Sequence, residues 1–176
     1  MTTRGLIFIG LLFLSTVACA DANDGEYLGF KLGSIFASSD GAIRREHTTG
    51  ALVYIVNPHQ RHQHLGSLSI YVTPKTSIIG SVFGDWYFSS KQTAQQFSDR
   101  YMQTLQTTYS SWKRGRNTLT DTDYQLWVDL EQKPPFVDHW PSDKKFRVSV
   151  ALIYAPGSTQ RNAWMTLVKR ESKTRD

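Results

Sequence analysis

The periodicity of the apolar residues constrains this chain more than any other feature. One long segment repeats with helical spacing, and much of the rest repeats with a period of two. The helical segment is marked by Ala94, Phe97, Tyr101, Leu105, Tyr109 and Trp112, which follow one another at intervals of three or four. They lay one apolar stripe along about five turns of helix. Ser89 stands three residues before Gln92, a capping-box spacing that would satisfy two N–H groups at the start. Lys113 and Arg114 would occupy the last turn, where cations complement the helix dipole, and Gly115 would end it.

Around this helix the sequence predicts strands. Ala51 to Asn57 is rich in β-branched and aromatic residues and stops at Pro58. Leu65 to Val72 alternates Leu68, Ile70 and Val72 with Ser67, Ser69 and Tyr71. Ile78 to Phe88 forms a third strand, in which Gly80 and Gly84 mark a bulge or a close backbone approach. After the helix, Leu126, Val128 and Leu130 alternate with Gln125, Trp127, Asp129 and Glu131. A Pro-rich loop, KPPFVDHWPSDKK, leads into an alternating run from Phe146 to Tyr154, and Ala163 to Val168 reads as a last strand. Tyr27 to Gly33 reads as a strand or an extended entry, and Ser34 to Gly50 as irregular. The fold class expected is α+β, a single antiparallel sheet of about six strands in βββ-α-βββ order with one long amphipathic helix packed on one face. No internal repeat is visible in the sequence.

With 40% hydrophobic residues in 176, the chain has enough apolar side chain for one domain with a core, and a disordered chain is excluded. A lone cysteine excludes an intramolecular disulfide framework and any multi-cysteine metal site. That cysteine falls in a segment that reads as an address. Arg4, an apolar run from Leu6 to Leu14 and the small residues that follow have the three parts of a secretory signal, so residues 1–20 are expected to be removed and 21–176 to form the domain. Cleavage after Ala18-Cys19-Ala20 would free Asp21. Alternatively, Thr16-Val17-Ala18-Cys19 resembles a bacterial lipobox, although leucine is usual where Thr16 stands. The resemblance implies lipidation of Cys19 and a tether to a membrane surface. Either route implies export to the periplasm or cell envelope. Removing residues 1–20 takes away Arg4 and no acid, leaving a net charge of +4. That permits attraction to anionic envelope polymers and falls far short of a nucleic-acid-binding signature.

The helix can cover one face of the sheet only, yet several strands carry apolar residues on both. The expected solution is that the N-terminal segment through Phe36 and the Pro-rich loop fold over the second face. Otherwise part of that face is an apolar patch for self-association or another envelope protein, with Trp127 as its centre. Three further groups are candidates. His59, His62 and His64, with His47 or Glu46 as outer members, could together hold Zn or Cu at a turn. Lys113, Arg114 and Arg116 beside Trp112 could grip a phosphate or carboxylate. Asp85, Asp129, Glu131 and the Asp138-His139 pair could serve a hydrolase, but no nucleophile elbow, phosphate loop or dinucleotide glycine pattern accompanies them. The leading expectation is therefore a non-enzymatic binding, accessory or inhibitor-type protein. A periplasmic metal-binding protein and a hydrolase are the alternatives.

Overall fold

Two runs of four strands, each followed by a helix, succeed an N-terminal hairpin. The computed structural model describes residues 25–37, 42–56, 65–134 and 140–173. The hairpin pairs β1 (Glu26–Tyr27) with β2 (Phe30–Lys31). The first run is β3 (Ile43–Glu46), β4 (Leu52–Val56), β5 (Ser67–Val72) and β6 (Ile79–Phe88), followed by α1 (Lys91–Thr108). The second is β7 (Lys113–Arg114), β8 (Thr118–Thr120), β9 (Tyr124–Gln132) and β10 (Phe146–Tyr154), followed by α2 (Thr159–Ser172). All eight strands join one antiparallel sheet in the order β3-β4-β5-β6-β10-β9-β8-β7, so the two runs meet at β6 and β10.

The sheet's core face is built as its alternation requires. Leu68, Ile70, Val82, Leu126, Val128, Val148, Val150 and Leu152 all point to one side and are buried. Over β6, β9 and β10 lies α1, with Ala94, Met102 and Leu105 inward. Trp86 anchors it, its ring centroid 5.2 Å from Phe97 and 5.0 Å from Tyr101. Beside the helix on the same face sits the N-terminal hairpin. The Tyr27 and Tyr101 hydroxyls are 3.1 Å apart, the Tyr109 hydroxyl donates to the Glu26 carbonyl at 2.8 Å, and Phe36 meets Tyr54 at 4.9 Å. Gly84 makes room for it: a Cβ there would stand 2.9 Å from Leu28 Cδ1. Gly29, at φ 79°, supplies the left-handed turn between β1 and β2.

Several expectations are corrected. Among the described residues the sheet has eight strands rather than about six, a two-stranded sheet stands apart from it, and there are two helices rather than one. The expected last strand, Ala163 to Val168, lies inside α2. Trp164, Val168 and Glu171 recur there at helical spacing, and the Ser158 hydroxyl caps the start by accepting from Arg161 N–H at 3.2 Å. A short apolar run does not by itself distinguish the two periods. Ser34 to Gly50 contains β3, an edge strand of four exposed residues, IRRE, with no alternation to betray it. The long helix is capped by Ser90 through Thr93 N–H, one residue after the expected capping box, and ends at Thr108. Thr104, Thr107 and Thr108 turn their hydroxyls back to carbonyls four residues earlier, which weakens a helix near its end. Lys113 and Arg114 therefore lie in β7 rather than in a last turn. Gly115 serves the β7–β8 hairpin, where its N–H donates to the Thr118 carbonyl at 2.8 Å. Trp112 still reaches the core at 5% exposure, carried there by a turn that the helical spacing imitates.

The covering of the second face is also corrected for the N-terminal segment, which packs beside α1 as just described. The Pro-rich loop does reach the second face, through Trp140. Its ring lies 5.6 Å from Tyr87 and under the Arg147 guanidinium at 5.1 Å. The other helix, α2, crosses the end of the sheet. Trp164 sits where a Cβ on Gly80 would be and donates to the Ile78 carbonyl at 3.0 Å, and Gly50 abuts Val168 and Ser172.

Candidate interaction face

Away from α1, the odd-numbered residues of β6, β9 and β10 and those in register on β4 and β5 form a second face with two zones. The apolar zone follows a cross-strand row of Ile55, Ser69, Phe83, Ala151 and Trp127. Ala151 is fully buried and small, so the rings of Phe83 and Trp127 meet above it edge to face, 5.9 Å apart. Tyr71 joins Phe83 from the next row at 5.1 Å, and His47 meets Tyr71 at 5.3 Å. Four rings thus form a continuous file from the β3–β4 turn to β9, and Tyr71, Phe83 and Trp127 are half-buried. Burial, with the Asp85 carboxylate nearby, pushes the Tyr71 phenol up, so it remains a neutral hydrogen-bonding group at physiological pH.

The polar zone lies one register step away, across Ser67, Asp85, Ser149 and Asp129. Both Asp85 oxygens are engaged, one by the Ser67 hydroxyl at 2.8 Å and the other by the Ser149 hydroxyl at 2.6 Å. In the row beyond, Arg147 Nε donates to Glu131 at 2.8 Å, Nη2 donates to the same oxygen, and Nη1 lies 3.9 Å from Asp85. Burial opposes the Arg147 charge, but the Glu131 hydrogen bonds and the Asp85 carboxylate outweigh it and raise its pKa above its ordinary value. In these two rows the described residues carry Asp85, Asp129 and Glu131 against Arg147, so the zone is acidic although the whole chain is basic. No free nucleophile with an adjacent base stands among these groups, because the serine hydroxyls are spent on Asp85.

Trp127 is where the alternation places it, at the end of the aromatic file. Asp85, Asp129 and Glu131 share this face, but Asp85 and Glu131 are tied up by Ser67, Ser149 and Arg147 rather than paired across a cavity. Arg114 and Arg116 line a cleft of about 760 Å³ between α1 and β9, whereas Lys113 is exposed on β7 outside it. His59, His62, His64, Cys19, Asp138 and His139 lie outside the described residues. His47 bonds Thr49 Oγ1 through Nδ1 at 2.9 Å, and among the described residues no group of three His, Cys, Asp or Glu is placed to hold a metal ion. No described helix is long and apolar enough to cross a membrane. The sequence did not single out Tyr71, Phe83, Ser149, Arg147 or Trp140. Their partnership depends on which strands are neighbours, and β6 meets β10 across more than fifty intervening residues. No family model, curated protein or solved structure matches this chain.

Proposed function

We propose that this chain is an exported accessory protein of the cell envelope that works by binding rather than catalysis, and that a partner protein docks on the face centred on Phe83 and Trp127. The observation that carries this is the aromatic file. Four rings in succession occupy a face that α1 and the N-terminal hairpin leave uncovered, beside an acidic polar zone. Interface centres favour aromatic side chains ringed by polar groups, and this face has that composition. The acidic zone gives the partner's chemistry: apolar anchors flanked by at least one cation that meets Asp129. Export rests on residues 1–20. A mature chain beginning at acylated Cys19 would be held at a membrane surface, and one beginning at Asp21 would be free; mass spectrometry of the N-terminus separates the two, and retention of Met1 contradicts export.

A photo-crosslinking side chain installed at Ser69, between Ile55 and Phe83, tests the docking. Irradiated cells should give one adduct of defined mass, whose size also tells whether the partner is a second copy. Trp127→Ala should reduce the adduct about tenfold while lowering Tm by no more than about 4 °C. A loss of adduct accompanied by unfolding, or an adduct indifferent to Trp127→Ala, contradicts the proposal.

A further inference from the structure

β9 has a bare edge. Its inner side pairs with β10 along its whole length, but on the outer side β8 pairs only with Gln125, Leu126 and Trp127. The orientation of the remaining backbone follows from two hydrogen bonds. Val128 N–H points outward and donates to the Asn117 carbonyl at 2.9 Å, whereas Lys133 N–H points the other way, to the Lys145 carbonyl at 2.7 Å. Backbone groups alternate sides along an antiparallel strand. Leu130 and Gln132 therefore aim their N–H and C=O groups outward, past the point where β8 stops, and among the described residues nothing pairs with them.

That edge opens on the cleft of about 760 Å³ noted above, whose far wall is α1 and whose floor includes Met102, Val128 and Phe146. Its charges are one-sided. Lys91 comes from the start of α1, and Arg114 and Arg116 from the β7–β8 hairpin. Asp129 and Glu131 reach the rim through their backbone, while the register sends their side chains to the opposite face, where Glu131 holds Arg147. The remaining acid is Asp99, which already accepts from Gln95 Nε2 at 2.9 Å. Arg114 donates to Gln106, a neutral partner, so its charge is not cancelled.

We infer that this cleft is a second binding site, separate from the sheet face, which takes an extended peptide bearing carboxylates and adds it to the sheet in line with β8. The peptide exchanges main-chain hydrogen bonds with Leu130 and Gln132, and its acidic side chains meet Lys91, Arg114 and Arg116. Strand addition supplies affinity through the backbone and selects side chains through the groove. An alternating Val/Glu peptide suits both demands, and its Val/Lys counterpart suits only the first.

Fluorescence anisotropy with the mature protein and labelled five-residue peptides of these two kinds, combined with amide NMR spectra, tests the inference. The acidic peptide should bind saturably and shift the Leu130 and Gln132 amides, and the basic one should bind about tenfold or more weakly. Arg114→Glu with Arg116→Glu should weaken the acidic peptide about tenfold. Gln132→Pro, at an exposed strand end where only the outward N–H is lost, should do the same while leaving the spectrum folded. Absence of saturable binding, equal binding of the two peptides, or binding unchanged by Gln132→Pro overturns it. Trp127→Ala should leave this binding intact, so its outcome is independent of the sheet-face proposal.

Discussion

The two halves of the molecule repeat one element order, four antiparallel strands and then a helix, yet they use their helices differently. In the first half, α1 has 18 residues and lies flat on the sheet, inserting Ala94, Met102 and Leu105 among the buried side chains. In the second half, α2 has 14 residues, buries Val168 and Glu171, and crosses the sheet's end. The place over β4 to β6 that α2 would take by analogy with α1 is filled by the N-terminal hairpin, through Tyr27, Phe30, Leu32 and Phe36. One face is thus closed by a helix and a hairpin together. The second helix is displaced to the end of the sheet, and there it must be held by other means. Glu171 does this: its carboxylate accepts from Lys75 N–H at 2.7 Å, Thr76 N–H at 3.1 Å and the Thr76 hydroxyl at 2.8 Å, tying α2 to the β5–β6 turn.

The sharpest difference between the halves is expected at Trp86, where α1 docks. Trp86→Ala removes a ring that is 7% exposed and should cost about 3–5 kcal/mol in urea unfolding. A loss as small as that of an exposed side chain would break the distinction between a docked and a displaced helix.

Next comes Glu171. Glu171→Ala should cost about 2 kcal/mol, since it strands two backbone donors of a turn. Burial opposes its ionisation, but the hydrogen bonds from Lys75 and Thr76 prevail and lower its pKa. A depressed carboxylate pKa stabilises the fold above the unfolded value, about 4.3, and that contribution fades as pH falls through the folded value. The stability gap between the native protein and Glu171→Gln should therefore narrow below that pH in urea titrations. A gap constant from pH 7 to pH 3 would mean that the carboxylate charge does not hold α2.

The smallest effect distinguishes local from global opening. Ser158→Ala deletes the α2 cap and should cost about 1 kcal/mol of helix stability. Hydrogen exchange should show faster amide exchange in α2 with the rates in β6 and β10 unchanged. Uniform acceleration across the sheet would mean that α2 unfolds only with the whole domain.

The division between what the sequence disclosed and what it withheld follows the same contrast. β5, β9 and β10 were legible because one apolar face writes a period of two into the chain, whereas β4 and β6, apolar on both faces, were legible as apolar runs bounded by turn residues. The inward stripe of α1 was legible for the corresponding reason. By contrast, β3 and β7 are exposed throughout and their strand character comes from pairing, which leaves no apolar pattern. The short apolar run in α2 fitted a strand as well as a helix, because a helix that buries so little has only Trp164 and Val168 to mark its period. Of the candidate interaction face, Trp127 was visible as an aromatic residue on the polar side of an alternating strand. Its companions were not, since Phe83 and Trp127 become neighbours only when β10 comes between β6 and β9 and presents Ala151 beneath them.

One face of the sheet is closed over buried aromatic rings, and the other carries rings that are only half-buried. Hydroxyl-radical footprinting read by mass spectrometry tests it in a single experiment on the native protein. Tyr71, Phe83 and Trp127 should be oxidised markedly faster than Trp86, Trp112 and Leu105 under the same exposure. Protection of Trp127 equal to that of Trp86 would contradict the account.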